Sequence, residues 1–478
     1  MGMITNVNLS DISKSIFLRL GARYTNYWKN LNGKIFNFNY RQIELKQFVK
    51  IVKIKNVKKG DLTKEYQLID LANIEPGIGF LNDLDKNIVS EIGSDKIILD
   101  GADIVFSRLN SHIGYVFLME DIPNSKISVI GSTEFFPLKV DNTTIPSKLL
   151  KYYLLHREFR KKAIFIRTGK SQSHPRIQVE DFMRFKFPIL PQKVSIELIR
   201  KINIFEDEIK KKKLEYESLQ NIIESVFLKY DIKKPSLDEN FHIKIKPMLS
   251  NIANQRYMRI GAEYMSFWML RKGCLFQSED KNKYPIIPMK RLIRKYNATV
   301  IKKGLMTDTR ILVEFEHIQS LNGKIENLSN VVTEVGSDKI EFGNADFLTN
   351  KLRPYLGYTI INPKHLNIIG TTEFIPFSII NKLNTSVNYI RYVFLSSEYL
   401  KQSKLLMSGK EHPRINISDI LNIRIPLPKL TIQHNIVKEI LQRELKSAKI
   451  LKEIKVIREK IDNIILDTLN YTKIIKEK

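Results

Sequence analysis

Apolar residues recur every three or four positions from Ile196 to Leu228, in a stretch without proline or glycine. Leu198, Ile202, Phe205, Ile209, Lys212, Tyr216, Leu219, Ile223 and Val226 form a single seam with one charged interruption, which predicts one long helix with coiled-coil character. A second stretch, Ile432 to Leu469, carries a matching seam at Ile436, Ile440, Arg443, Ser447, Ile450, Ile454, Ile457, Ile461 and Ile464. Each of these positions lies 238 residues after its counterpart, as 436 follows 198.

The segments ahead of the two helices are patterned differently. Short runs dense in Ile, Val and Phe, such as KIILDGADIVFS and NIIGTTEFIPFSII, are broken by Gly, Asp, Asn and Pro and predict strands. One helix is predicted inside each block, over SKLLKYYLLHREFRKKAIF and VNYIRYVFLSSEYLKQSKLL. The blocks are copies. GSDKI stands at Gly93 and Gly336, GSTEFFP at Gly131 answers GTTEFIP at Gly370, and HPRI occurs at His174 and His412. A proline-framed strand closes each copy, at Pro191 and Pro428. RLGARYTNYW (Arg19–Trp28) matches RIGAEYMSFW (Arg259–Trp268) and holds the only two tryptophans. Between these anchors, 35–81 and 275–321 scarcely align. A period near 240 residues is a duplicated domain with its helix, not a solenoid.

The predicted class is α+β: two repeated α/β domains, each followed by a long helix, with the two helices pairing as an antiparallel coiled coil. The boundaries expected are a first domain at 1–191, helix 192–230, a polar linker at 231–247, a second domain at 248–428, helix 429–470 and a tail at 471–478.

Charge adds a partner. The chain has 78 Lys and Arg against 51 Asp and Glu, a net charge of +27, which favours a polyanion, with nucleic acid first. A Lys-rich proteome bias would produce the same excess. The lone Cys274 excludes a disulfide framework and a cysteine zinc site. No apolar run approaches a membrane span and the N-terminus has no signal-peptide core, so a cytoplasmic protein is expected.

The loops TGKSQSHPRI (from Thr168) and SGKEHPRI (from Ser408) carry Lys170, His174 and Arg176, and Lys410, His412 and Arg414. Gly and Pro constrain both loops, which suits phosphate or base-edge contacts. The alternative is a structural turn whose Arg and His pair with a carboxylate. A second loop carries Ser107, Arg108, Asn110 and His112 in one copy and Asn350, Lys351 and Arg353 in the other. It differs between copies, as a sequence-reading loop must, but a solvated hairpin is equally compatible. Asp95 and Asp338 have no catalytic partner nearby, and Glu134 and Glu373 need accept no more than backbone or Lys hydrogen bonds. GKS at Gly169 lacks the glycine a P-loop needs at 164. No metal site, Gly-rich cofactor loop or methyltransferase tetrapeptide is visible, so no catalytic residue, metal ligand or bound cofactor is assigned.

The alternation of block, Pro-framed strand and long helix, carried by FPILPQKVSIELIRKI (Phe187–Ile202) and IPLPKLTIQHNIVKEI (Ile425–Ile440), resembles the specificity subunit of type I restriction–modification systems. RLGARYTNYW and RIGAEYMSFW resemble the opening of that family's target-recognition domains. The resemblance implies that each domain reads one half of a bipartite site in double-stranded DNA, that the helices set the spacer, and that the subunit has no catalysis of its own. It also implies two methyltransferase subunits as partners, with restriction–translocase subunits recruited through them, in a prokaryotic cytoplasm. S-adenosylmethionine, ATP and Mg would then serve those partners. A helix of 33 residues spans roughly 50 Å, about 14 base pairs. The rivals are a specificity module of a related defence-system methyltransferase, a coiled-coil scaffold unrelated to DNA, and an enzyme with an atypical site.

Overall fold

The computed structural model describes residues 28, 33–36, 41–60, 64–84, 87–123, 127–168, 175–235, 264, 267–268, 271–280, 283–364, 366–409 and 411–476. Most of the paired Arg19–Trp28 and Arg259–Trp268 stretches, and most of the linker, lie outside them.

The chain forms two compact units, Met1–Leu214 with Lys452–Lys478, and Glu215–Leu451. Each therefore combines one repeated block with segments of both long helical stretches.

The first unit holds an antiparallel four-stranded sheet in the order Val49–Ile51, Phe135–Val140, Ile104–Ser107, Val116–Leu118. Beside it is a five-stranded sheet in the order Asn56–Val57, Lys96–Ile98, Val129–Ser132, Tyr66–Ile69, Ile88–Val89, in which Tyr66–Ile69 and Val129–Ser132 run parallel. Gln42–Glu44 pairs with the Pro-framed strand Lys186–Pro188. The turn from Val129–Ser132 into Phe135–Val140 carries the chain from one sheet to the other. Ile69, Ile97, Leu99, Val105, Phe117 and Phe135 pack where the sheets meet.

The second unit repeats this order strand for strand. Its four-stranded sheet runs Ile293–Lys295, Phe374–Ile379, Phe347–Asn350, Ile360–Ile361. Its five-stranded sheet runs Val300–Ile301, Lys339–Glu341, Ile368–Thr371, Arg310–Val313, Val331–Val332, again with one parallel pair, and Ile286–Pro288 pairs with Arg424–Pro426. The stretches that scarcely align in sequence fold into the same elements. Strand burial needs only apolar residues at the right period, so residue identity drifts while topology holds.

Each predicted internal helix is two helices. In the first unit α1 (Ser147–Leu155) and α2 (Arg157–Ile166) meet at His156, whose backbone is extended and whose Nδ1 accepts a hydrogen bond from the Glu158 N–H at 3.0 Å. A short α3 (Val179–Met183) precedes the closing strand. In the second unit the corresponding break is at Ser396, whose hydroxyl caps the next helix through the Tyr399 N–H. A side chain that satisfies a helix-start N–H competes with continuation of the helix before it.

The predicted single helix over 196–228 is also divided, into α4 (Gln192–Glu215) and α5 (Leu219–Lys229). Ser218 caps α5 by accepting from the Asn221 N–H. The Glu217 N–H turns outward to Ser447 Oγ at 3.4 Å, and its carboxylate pairs with Arg443. The second block supplies α6 (Val387–Leu395), α7 (Ser397–Leu406) and α8 (Ile417–Asn422), and α9 then runs unbroken over Leu430–Lys476, roughly 70 Å.

In the second unit α5 and α9 are antiparallel: Lys229 at the end of α5 pairs with Glu439, and Glu217, just ahead of α5, pairs with Arg443 further along α9. In the first unit Lys212 pairs with Glu453 at 2.9 Å, with both side chains about one-third exposed. The lysine that interrupts the seam thus meets an acidic partner at the seam's edge. Ile436, Ile440, Ile450, Ile454, Ile457 and Ile461 are buried as expected, but the seam then shifts from Ile464 to the fully buried Ile465. Spacing of 3.5 drifts against a helix of 3.6 residues per turn.

Block and helix are tied the same way in both units. Glu206 of α4, almost fully buried, accepts from Tyr152 Oη and Lys148 Nζ of α1, both at 2.5 Å. Its counterpart Glu444 of α9 accepts from Tyr392 Oη of α6 at 3.1 Å and pairs with Lys324. Burial, reinforced by the nearby carboxylate, pushes both tyrosine hydroxyls well above their usual range, so each stays a protonated donor.

Candidate nucleic-acid interface

Three chain segments meet at the same place in each block. In the first unit these are the loop after Ile104–Ser107, the turn holding Glu134, and the strand end at Arg176. Arg108 N–H donates to the Glu134 carbonyl, Asn110 N–H to the Pro175 carbonyl at 2.9 Å, and Ile177 N–H to the Arg108 carbonyl. The second unit repeats all three: Lys351 N–H to Glu373, Arg353 N–H to Pro413 at 2.9 Å, and Ile415 N–H to Lys351.

A carboxylate sits at the centre of each staple. Arg176 binds Glu134 in a fork, Nε to Oε2 at 2.9 Å and Nη2 to Oε1 at 2.8 Å, and Arg108 Nε adds a third contact at 2.9 Å. In the second unit Arg414 makes the same fork on Glu373, at 2.9 and 2.7 Å, while Lys351 stands 4.0 Å away. Hydrogen bonds from Arg176 hold the Glu134 carboxyl below the usual carboxylate range, against the opposing pull of burial, and Arg414 does the same for Glu373. Each site keeps an excess of positive charge, since one carboxylate faces two cations, Arg108 and Arg176 in the first unit and Lys351 and Arg414 in the second.

The sequence-predicted residues divide among several roles. Ser107 and Asn350 are fully buried and bond backbone carbonyls, Ser107 to Leu109 at 3.0 Å and Asn350 to Leu352 at 2.8 Å. They hold the loop and present no surface to a polyanion. Arg176 and Arg414 are locked to glutamates, the arrangement the structural-turn alternative describes, yet both keep exposed edges. His112 is half-buried, its carbonyl accepts from Arg160 Nε, and burial with the nearby Arg167 lowers its pKa. His412 is exposed, and its carbonyl accepts from Arg414. Arg108, Asn110, Lys351 and Arg353 gather around the staple. Lys170, His174 and Lys410 lie outside the described residues.

Glu134 and Glu373 were missed as site residues. Their signal was present: each is retained within a strand-rich repeat together with an arginine in HPRI, and a carboxylate kept beside a kept arginine suggests a pair. Asp95 and Asp338 instead accept from Lys59 and Lys303 N–H groups at 3.0 Å and shape an exposed turn. Among the described residues no group of three or more His, Cys, Asp or Glu could hold a metal ion, and no helix is long and apolar enough to cross a membrane.

Residues 270–457 match the family model of the type I restriction modification DNA specificity domain. The first unit, outside the matched residues, has the same strand order and the same staple as the matched one. Solved structures similar to it include the HsdS subunit from Thermoanaerobacter tengcongensis (11% identity, 90% of this chain and 96% of that one, TM-score 0.29). Others are the S subunit from M. genitalium (14%, 91% and 96%, TM-score 0.35) and a chain from work on complex assembly and conformational transition of the type I R-M system (11%, 91% and 98%, TM-score 0.34). TM-scores this low carry no weight for function. No curated protein matches the chain significantly.

Proposed function

We propose that the chain is the DNA sequence-specificity subunit of a type I restriction–modification complex. Each unit reads one half of a bipartite target in double-stranded DNA, and α4, α5 and α9 set the spacer and dock two methyltransferase subunits. The observation that carries this is the duplication: one unit matches a DNA specificity domain, and the other repeats its strand order and its cationic staple. The net charge of +27 supports a polyanionic partner. The chain supplies recognition and no catalytic step. S-adenosylmethionine, ATP and Mg belong to the methyltransferase and the restriction–translocase subunits recruited through it, and the assembly works in a prokaryotic cytoplasm.

Exchanging residues 1–191 for the corresponding block of a related protein tests the reading, with methylated adenines mapped in the host genome. One half of the methylated sequence should change and the other should stay. A change in both halves, or no split target at all, overturns it.

A further inference from the structure

The two staples share their backbone and differ in several side chains, one of them at the position after Leu109 and Leu352. Asn110 and Arg353 occupy it, and both adopt the left-handed conformation, with φ of 51° and 48°. Each donates its N–H to the proline carbonyl of the HPRI segment, and each carbonyl accepts from the residue three further on, Ile113 or Leu356. The conformation costs least for glycine and is tolerable for Asn, but it is unfavourable for Arg. Holding Arg there stores strain at a polar loop, a pattern that concentrates at functional sites.

Four of the neighbouring side chains are committed. Ser107 and Asn350 bind backbone, and Arg176 and Arg414 bind glutamate. The Asn110 amide and the Arg353 guanidinium have no hydrogen-bond or ion-pair partner among the described residues, and Arg353 is exposed. A shared backbone frame on which an uncommitted side chain changes is what two readers of different half-sites require.

Resting on the specificity reading above, we infer that Asn110 and Arg353 are the equivalent base-reading residues of the two units, Asn110 for an adenine and Arg353 for a guanine. Asn pairs in bidentate fashion with adenine N6 and N7, and Arg with guanine O6 and N7, in the major groove.

The test is selection from a randomised DNA library by the full chain copurified with its modification subunits. Arg353→Gly keeps the backbone conformation at no steric cost and removes the guanidinium. It should lower discrimination at one guanine position about ten- to hundredfold and leave the other half-site unchanged. Asn110→Arg should convert one adenine preference in the other half-site to guanine. If Arg353→Gly weakens binding equally on all sequences and reduces its salt dependence, Arg353 contacts phosphate and the inference is overturned. Unchanged selection by both variants overturns it too. If the unmodified complex selects no split sequence, the specificity reading itself fails.

Discussion

In the first unit Gly79 lies against the Val116 carbonyl, and in the second Gly323 lies against that of Thr359. Both have positive φ, 75° and 65°. The stretches around them, EPGIGF and SLNGKI, share almost nothing else. At the staple the reverse holds: motifs such as HPRI are nearly the same, yet Asn110 faces Arg353 across the comparison. The units teach that a duplicated fold keeps different things in different places. Where backbones touch, only the absence of a Cβ is kept. Where charges lock three segments, residue identities are kept. The uncommitted position is left to diverge.

The comparison can be broken most severely at the glycines. Gly323→Ala and Gly79→Ala each place a Cβ in a backbone carbonyl and force a left-handed φ, so each should destabilise its own unit by about 4 kcal/mol, read as a lowered urea midpoint. If only one does so, the equivalence drawn across the unaligned stretches is wrong.

The buried Tyr–Glu ties come next. Glu206→Ala and Glu444→Ala each leave a buried tyrosine hydroxyl without its acceptor, and each should cost about 3 kcal/mol in thermal denaturation. A Tyr152→Phe change added to Glu206→Ala should recover part of that loss.

The staples set an acid limit. Glu134 and Glu373 titrate below the ordinary range when folded. Their contribution is therefore fully present above the unfolded carboxyl value near pH ~4.3 and is lost as pH falls through the lower folded value. With the arginines partly exposed, Glu134→Gln should remove about 1.5 kcal/mol at neutral pH and flatten the acid decline in stability. An equally steep decline in Glu134→Gln would assign the acid limit to other groups.

The smallest effect separates the helices. Ser218→Ala removes the α5 cap and should cost about 1 kcal/mol, visible as faster amide exchange at the start of α5. α9 has no break and no such dependence.

Much of the fold was legible in the chain. The repeat anchors, the Pro-framed strands and most of the isoleucine seam are where periodicity places them, because burial period is a local property of sequence. The breaks at His156, Ser218 and Ser396 were not legible. No Pro or Gly marks them, and a polar side chain in a helical pattern becomes a cap only when the next segment turns to pack elsewhere. Lys212 looked anomalous for the same reason, since its partner Glu453 lies far along the chain.

Of the candidate site, sequence alone determined the residue types: two basic loops, one retained and one divergent, in a chain of strong positive charge. Their roles were decided by tertiary structure. Only the approach of three separated segments turned Arg176 and Arg414 into partners of Glu134 and Glu373, and buried Ser107 and Asn350. That approach left Asn110 and Arg353 uncommitted. A pattern of polarity fixes which residues face solvent or core, but which charge meets which is set by contacts between residues tens to hundreds of positions apart.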